Sequence, residues 1–467
     1  MNEGTIVSWQ DVCQSIRDQL GDDAVYTGEA CIPYAADRWA RGEAPPAVFL
    51  PRNPEQTARI ARTLYEAGLP FVARGLGTGM SGGALPLGKA AVVSFERMTR
   101  IAAHPESLTL EAEPGALLKD IQTAAAAHGL MYPPDPASAE ECSIGGNIAE
   151  NAGGLSCVKY GVTGDFVLAL DIVLPDGRTL VLGSRARKDV AGLDLKRLII
   201  GSEGTLALIT GAVLRLVPQP QASVSFAVWF RDAASAVESL RKLMQSGVTP
   251  ARAELIASAC LTILANEGVP VPDGAGALLL LSLDGSPAAI RAEREAAAIV
   301  LGAQAIRMET ASREDEERLW NIRTRLSPAM KKLAPIKINL DIAVPLDRQA
   351  EFIAFAEDLA AARGRMIAIF GHAGDGNLHV NILLREEEYA GAHDFADIIF
   401  RQAVALGGTI TGEHGVGIAK SDWLGLRLDP LTLDLCRAIK KLFDPKNLLN
   451  PGKAYYPGPD ANIERLI

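Results

Sequence analysis

Two of the six histidines in this 467-residue chain lie seven positions apart in the stretch GHAGDGNLH, residues 371–379, with Asp375-Gly376 midway between them. Asp-Gly between two apolar runs, here MIAIF and LHVNILL, signals a two-residue type I′ turn, which needs positive φ at both central positions. A turn centred there pairs Gly374 with Asn377 and sets His372 directly opposite His379. Directly opposed residues of an antiparallel pair share a face, with Cβ atoms about 4.5–5.5 Å apart. Asn381 joins that face two residues on. Two imidazoles held this way suit one metal ion. The alternative is a pair of polar residues beside a surface turn.

The hairpin is one of several strand runs that follow PQPQA at 218–222, a stretch that reads as a domain boundary. SVSFAVWF, GALLLLSLDG, IKINLDIAVP and the two arms of the hairpin are separated by amphipathic helices, which predicts an antiparallel sheet with helices on one face. The region before the boundary alternates helix and strand: TARIARTLYEAG then PFVAR, AVVSFERM, LTLEAEPG, ALLKDIQTAAAAHG, and a hairpin around Pro175-Asp176-Gly177. A helix over Trp9 to Leu20 precedes it. The divisions expected are an N-terminal helical segment (1–44), a glycine-rich domain (45–220), a second domain (221–407) and a C-terminal segment (408–467).

GTGMSG, Gly77 to Gly82, matches the dinucleotide fingerprint GxGxxG. That fingerprint requires a helix to open at once with its N-terminus facing a pyrophosphate. Here GALPLGKAAVVSF comes next, and Pro86 and Gly88 exclude the helix, so an NAD-type site is rejected. Bare amides of a glycine loop still converge on phosphate oxygens. A second such loop, PPDPASAEECSIGGNIAENAGG, and GSEG at 201–204 together predict a dinucleotide cradle of another kind.

Bulk composition narrows the class. The formal charge of −10 argues against a nucleic-acid surface. No apolar run reaches the roughly 18 residues that span a bilayer. The start, MNEGTIVSWQ, has neither the basic nor the apolar region of a signal peptide, which predicts a cytosolic chain that meets a membrane only through a partner. Six cysteines without cluster spacing indicate neither a disulfide framework nor an iron–sulfur site.

RGLGTGMSGGALP, SIGGNIAENAGG, GSEGTLALIT, GHAGDGNLH, GEHGVGIAK and FDPKNLLNPGK occur in one order along the chain. In this it resembles the vanillyl-alcohol-oxidase-type FAD flavoproteins. The branch it resembles comprises D-2-hydroxyglutarate dehydrogenase, FAD-linked D-lactate dehydrogenase and the flavoprotein subunit of glycolate oxidase. The resemblance runs from Pro45 to Lys453. It implies an α+β protein: an FAD domain of two α+β subdomains, a substrate domain with an antiparallel sheet and flanking helices, and a C-terminal segment returning to the flavin. It further implies that Arg74, Gly75, Leu76, Gly77, Thr78, Gly79, Ser81 and Gly82 hold the FAD pyrophosphate. Asp135, Ser138, Ser143, Gly145, Gly146, Asn151 and Gly153 would line the flavin and ribityl chain, and Glu203, Gly204 and Ile209 the adenine side. Some members tether FAD through a histidine that aligns with Thr78; no histidine lies in either loop, so FAD is expected to be noncovalent.

GEHG adds Glu413 and His414. With His372 and His379, Glu413 completes a two-histidine, one-carboxylate set suited to Zn²⁺, with Mn²⁺ or Fe²⁺ next, and the family carries its metal at these matching positions. A divalent cation lowers the cost of removing the hydroxyl proton of a 2-hydroxy acid. His414 is the expected base, and hydride passes to flavin N5; the alternative for His414 is a structural bond to a carbonyl. Arg323 and Ser327 are i,i+4 neighbours on one predicted helix, and Lys337, Asn339 and Asp341 share a strand face. The resemblance to hydroxyglutarate dehydrogenases implies a distal-carboxylate set at Arg323, Ser327 and Lys337, plus Asn381 after the second metal histidine, with serine for threonine and one residue missing before Lys337 as departures. The other reading of Arg323 is surface pairing with Glu316 or Glu317. Ala207 stands where the family has glycine.

The resemblance implies oxidation of D-2-hydroxyglutarate or D-lactate, with glycolate next. An electron-transfer flavoprotein, a quinone or an iron–sulfur subunit would take the electrons. The alternatives are a zinc hydrolase that activates water through Glu413 or His414, and a noncatalytic flavin subunit.

Overall fold

Phe71–Arg74 and Ala91–Ser94 are fully apolar but for their last residues, and they run side by side in parallel beneath the first glycine loop. In the computed structural model, which describes residues 8–455 and 464–465, they belong to the first of two compact units. That unit comprises the chain up to Ala152, then Val162–Gln219, then the part from His414 onward. The second comprises Gly153–Gly161 and Pro220–Glu413.

Two larger sheets, beside two short two-stranded pairs, build the first unit. β1 (Val25–Tyr26), β2 (Val48–Phe49), β3 (Phe71–Arg74) and β4 (Ala91–Ser94) take the order β1-β2-β4-β3. The helix Pro54–Ala67 is capped by Asn53, starts with proline and ends at Gly68 in the left-handed conformation, as its sequence dictates. It buries Ile60, Ala61 and Leu64 against Phe71 and Val93. No helix follows β3: the chain from 75 to 90 is loop, so the dinucleotide fingerprint lacks its helix as expected. The second sheet is antiparallel, with β5 (Ile101–His104), β6 (Thr109–Ala112), β7 (Val167–Val173), β8 (Thr179–Gly183) and β9 (Leu208–Arg215) in the order β8-β7-β9-β6-β5. The β7–β8 hairpin turns at Pro175-Asp176-Gly177, with Gly177 at φ 84°.

The C-terminal motif FDPKNLLNPGK ties this unit together. Asn450 accepts from the Ala73 amide at 2.9 Å and donates to the Glu203 carbonyl at 2.9 Å. Lys440, buried on the helix Pro430–Phe443, donates to the carbonyls of Thr205 (2.8 Å) and Leu449 (2.7 Å) and pairs with Asp444.

The second unit is one seven-stranded antiparallel sheet. Its strands are β10 (Ala222–Phe230), β11 (Arg252–Ala257), β12 (Ala277–Gly285), β13 (Ala305–Ser312), β14 (Ile336–Ala343), β15 (Met366–His372) and β16 (Asn377–Leu384). The order is β13-β10-β12-β11-β15-β16-β14. Helices cover both faces, not one. Trp229, Ile256, Leu278, Leu280, Phe370 and Leu383 face the helices Ser258–Asn266, Glu316–Thr324 and Leu326–Leu333. The alternate residues Leu279 and Leu281 are equally buried, under the helices Ala233–Gln245 and Pro287–Gly302. An unbroken apolar run such as ALLLLSL is what a strand buried on both sides requires. Each of its leucines contributes about 1.5–3 kcal/mol. Among the described residues no helix is long and apolar enough to cross a membrane.

Candidate active site

Across β11, β15, β16 and β14, four neighbouring strands of the second unit, Glu254, His372, His379 and Asp341 stand in one row on one face. The register of the β15–β16 hairpin differs from the sequence expectation by two residues. His372 pairs with Asn377, and His379 with Phe370. The loop closes wider because the His372 carbonyl accepts from both Asp375 (3.2 Å) and Gly376 (3.1 Å), while the Asp375 carboxylate accepts from the Asn377 amide at 3.2 Å. Gly376, at φ 90°, is required: a Cβ there would lie 2.2 Å from the Val344 carbonyl oxygen. A slip of two preserves the face, since side chains alternate with period two. The imidazoles are therefore diagonal neighbours, with ring centroids 5.3 Å apart at 86°.

Glu413 completes the set. Its Oε1 lies 3.4 Å from His372 Nε2 and 3.5 Å from His379 Nε2, and the three donor atoms all fall within 4.8 Å of one another. Two bonds of about 2.1 Å meeting at a tetrahedral angle span about 3.4 Å, so these donors fit a divalent cation of the zinc class. Asp341, fully buried, positions the segment that carries Glu413: one carboxylate oxygen accepts from Thr411 Oγ1 (2.9 Å), the Gly412 amide (3.0 Å) and the Glu413 amide (3.1 Å). The other accepts from Asn377 Nδ2 at 2.7 Å, which joins the hairpin to the same anchor.

Each histidine also has a carboxylate at its other nitrogen. Glu254, wholly buried, bonds to His372 Nδ1, and Asp341 lies 4.0 Å from His379 Nδ1. Burial alone would raise the Glu254 pKa, but the charges of His372 and Arg323 outweigh it and hold the group at about 2. Burial likewise opposes charge on His372, yet Glu254 and Glu413 prevail and raise its pKa well above the ordinary value. A divalent cation held by these donors would offer its charge to the same carboxylates.

The residues expected to bind the substrate lie on the same face. Arg323 and Ser327 are on two helices rather than one, because the chain breaks at Arg325. Arg323 pairs with neither Glu316 nor Glu317. Its Nε donates to Glu254 at 2.7 Å and its guanidinium lies 4.1 Å over the Phe370 ring. Lys337 is buried and donates to Ser327 Oγ at 3.3 Å; burial, with Lys331 and Arg323 nearby, lowers its pKa to about 8. Asn381, fully buried, donates to the carbonyls of Ala368 and His379 and accepts from Asn339. His414 follows Glu413 in the chain, is half-buried and falls in the first unit.

In that first unit the glycine loop from Gly75 to Gly79 starts at the buried Arg74. A Cβ on Gly75 would lie 2.3 Å from Ser143 Oγ, and one on Gly77, at φ 69°, would lie 2.1 Å from Arg74 Nη2. Leu76, Thr78 and Gly79 are half-buried, while Ser81 is fully buried beside Gly82, whose amide donates to Asp37 at 3.0 Å. Arg74 Nη1, Ser81 Oγ and Ser143 Oγ are buried without hydrogen-bond partners. Such groups are costly unless a ligand meets them. An FAD with phosphate and ribityl oxygens fits that demand. Asp135 and Ser138 precede the helix Ile144–Glu150, which carries Gly145 and Gly146 and ends at Asn151 in the left-handed region. Glu203 accepts from the amides of Val416 (2.9 Å) and Gly417 (2.5 Å), Gly204 abuts Asn450, and Ile209 is buried in β9. Gly153 stands apart from these, in the second unit, where a Cβ would lie 2.9 Å from Glu413 Oε2.

Sequence reasoning gives Glu254 and Asp341 no role. Their signal is a carboxylate flanked on both sides by apolar residues in a strand run, Glu254 in RAELIA and Asp341 in IKINLDIA. A buried carboxylate needs a partner.

Two family models match the chain: the FAD binding domain over residues 45–183, and the C-terminal domain of FAD linked oxidases over residues 219–454. The glycolate oxidase subunit GlcD of Bacillus subtilis (strain 168) is 38% identical over 419 residues, 88% of this chain and 89% of that protein. A D-lactate dehydrogenase of Archaeoglobus fulgidus is 35% identical over 456 residues, 96% of this chain and 99% of that one. Among solved structures, substrate-bound p-cresol methylhydroxylase superposes with a TM-score of 0.80 at 18% identity, covering 96% of this chain and 97% of that one. A 4-ethylphenol oxidase from Gulosibacter chungangensis gives 0.78 at 17%, covering 97% and 99%. The fold is that of the vanillyl-alcohol-oxidase-type flavoproteins. With an FAD binding domain over residues 45–183 and the C-terminal domain of FAD linked oxidases over residues 219–454, the chain belongs to the FAD-linked oxidases.

Proposed function

We propose that the protein oxidises a D-2-hydroxy acid to the 2-oxo acid, with noncovalent FAD as hydride acceptor and a divalent cation, Zn²⁺ first, at His372, His379 and Glu413. The observation that carries this reading is the spacing of those three donors, 3.4 and 3.5 Å about one carboxylate oxygen. The names of the relatives support the substrate class: glycolate oxidase and D-lactate dehydrogenase both act on 2-hydroxy acids. When bound, the cation stabilises an alkoxide as it forms and FAD takes up hydride.

The chain's own residues do the rest. Glu254 and Asp341 hold the ligand side chains in place, so the donors need not reorganise when substrate arrives. His414 takes the hydroxyl proton. Lys337, with Ser327 beside it, offers positive charge to a second carboxylate, which brings D-2-hydroxyglutarate alongside D-lactate as a leading substrate, ahead of glycolate. Asn381 holds Asn339 in place on the strand face beside the second histidine. Arg74, Ser81 and Ser143 turn their buried polar atoms to the dinucleotide, with Asp135, Ser138, Gly145, Gly146 and Asn151 along its length. Each acid oxidised releases two electrons, which an external acceptor would take: an electron-transfer flavoprotein, a quinone or an iron–sulfur subunit.

The test is an anaerobic screen in which flavin absorbance is followed on adding D-lactate, D-2-hydroxyglutarate, glycolate and the available L enantiomers. Bleaching by D acids at catalytic rates supports the proposal. A flavin that stays oxidised with all of them refutes it.

A further inference from the structure

β8 closes one side of the second sheet in the first unit: it pairs with β7 and, among the described residues, has no strand on its outer side. Natural edge strands are ordinarily blunted by charge or proline, because their unpaired N–H and C=O groups offer a template to another chain. β8 reads TLVLG and has neither. It is open to solvent, with Val181 72% exposed. The chain continues through SRARKDVAGLD to the short helix Leu195–Ile199, and there Val190 and Leu193 are 96% and 88% exposed. Exposed apolar side chains along one segment that also carries charge mark an interaction surface.

The charge of the patch has a sign. Residues 179–198 carry Arg185, Arg187, Lys188, Lys196 and Arg197 against Asp189 and Asp194, in a chain whose formal charge is −10. Arg185, Lys196 and Arg197 have carboxylates within 3.3–3.5 Å, whereas Arg187 and Lys188 make no ion pair among the described residues. The chain that follows the patch runs into the proposed flavin cradle. The Gly201 amide donates to the Ile148 carbonyl at 3.0 Å and the Glu203 amide to that of Ala149 at 2.8 Å. Arg197 Nη1 and Asn151 Oδ1 lie 3.1 and 2.7 Å from where a Cβ on Gly164 would be.

We propose that β8 and the loop after it form the docking surface for the acidic redox protein that reoxidises the flavin. The inference rests on the function proposed above. Each 2-hydroxy acid oxidised yields two electrons and two protons; the electrons pass to the redox group of the partner and the protons to solvent. Val181, Val190 and Leu193 form the apolar centre, and Arg187 and Lys188 meet carboxylates at the rim. A segment of this length supplies one side of a standard interface, about twenty residues. A second copy of this chain is a poorer occupant, since a two-fold contact would bring two patches of the same positive sign together.

The experiment compares wild type with the Arg187→Glu/Lys188→Glu double variant and with Leu193→Asp, all as holoenzyme. Flavin reduced by substrate under anaerobic conditions is reoxidised either by a phenazine dye or by the dialysed protein fraction of the source cells. We expect dye rates to match within about twofold, while the protein-fraction rate falls at least about tenfold in the variants. For wild type alone, that rate should also slow as salt rises from about 0.05 to 0.5 M. Equal protein-fraction rates in wild type and variants overturn the inference, as does a wild type that the fraction cannot reoxidise, or variants that change only the oligomeric state in sedimentation. Failure of substrate to reduce the wild-type flavin at all is a different result, and it refutes the proposed function instead.

Discussion

Glu254 faces His372 directly across the β11–β15 pair and bonds to its Nδ1, while its second oxygen holds Arg323 at 2.7 Å. A residue expected to bind substrate is thus tied, through one buried carboxylate, to a residue expected to bind metal. Carboxylate–histidine pairs of this kind fix the ring orientation and raise the basicity of the ligand.

Glu254→Gln keeps the shape of that pair and removes its charge. We expect metal affinity to fall about 10- to 100-fold, read by competition with a chromophoric chelator, with flavin content unchanged. An unaltered affinity would show that His372 does not depend on Glu254.

Gly77→Ala places a side chain where the backbone is left-handed, at φ 69°, and where Arg74 Nη2 lies 2.1 Å from the new atom. The conformation alone costs about 1–2 kcal/mol. Displacing Arg74 weakens the cradle further. The variant should purify with substoichiometric FAD by its visible absorbance, while its metal affinity stays at the wild-type level. Full flavin occupancy would exclude the loop from the cofactor site.

Lys337 gives a pH signature. Burial, together with Lys331 and Arg323, lowers its pKa to about 8, so its positive charge is complete below that value and lost as pH rises through it. The preference for D-2-hydroxyglutarate over D-lactate, measured as a ratio of kcat/KM, should therefore decline above pH 8. In Lys337→Met the ratio should be low and flat with pH. A loss shared equally by both substrates would remove Lys337 from distal-carboxylate recognition.

How much of this is legible in the sequence depends on the kind of signal. Face and strand identity are legible: His372 and His379 share a face because alternation survives a slip of two residues. The register is not, because the closing bonds from the His372 carbonyl compete with the local preference of Asp-Gly. GTGMSG separates from a dinucleotide fingerprint through the helix-excluding Pro86 and Gly88 downstream. Partners across the sheet are invisible. Nothing near Glu254 in RAELIA announces a histidine 118 residues later, and neither β11 nor β13 was expected as a strand. The expectation of helices on one face fails because alternation is absent from strands buried on both. The predicted helix carrying Arg323 and Ser327 breaks at Arg325, where its helical period gives no warning.

Lys440 tests how the C-terminal segment is held. Lys440→Met would leave Asp444 buried without its cation and the carbonyls of Thr205 and Leu449 without their donor. Removing one partner of a buried pair costs about 3–5 kcal/mol, which denaturant unfolding of the holoenzyme should register. A change below about 1 kcal/mol would mean the pair contributes little, as exposed pairs do.

The central claim is that a divalent cation at His372, His379 and Glu413 is required for hydroxy-acid oxidation. Its most direct test is anaerobic flavin reduction by D-lactate and D-2-hydroxyglutarate after the metal content of the enzyme has been lowered by a chelator and verified by elemental analysis. We predict that the stripped enzyme retains FAD but stays oxidised with both acids, and that one equivalent of Zn²⁺ or Mn²⁺ per chain restores bleaching. Full-rate bleaching by a preparation shown to hold no metal would contradict it.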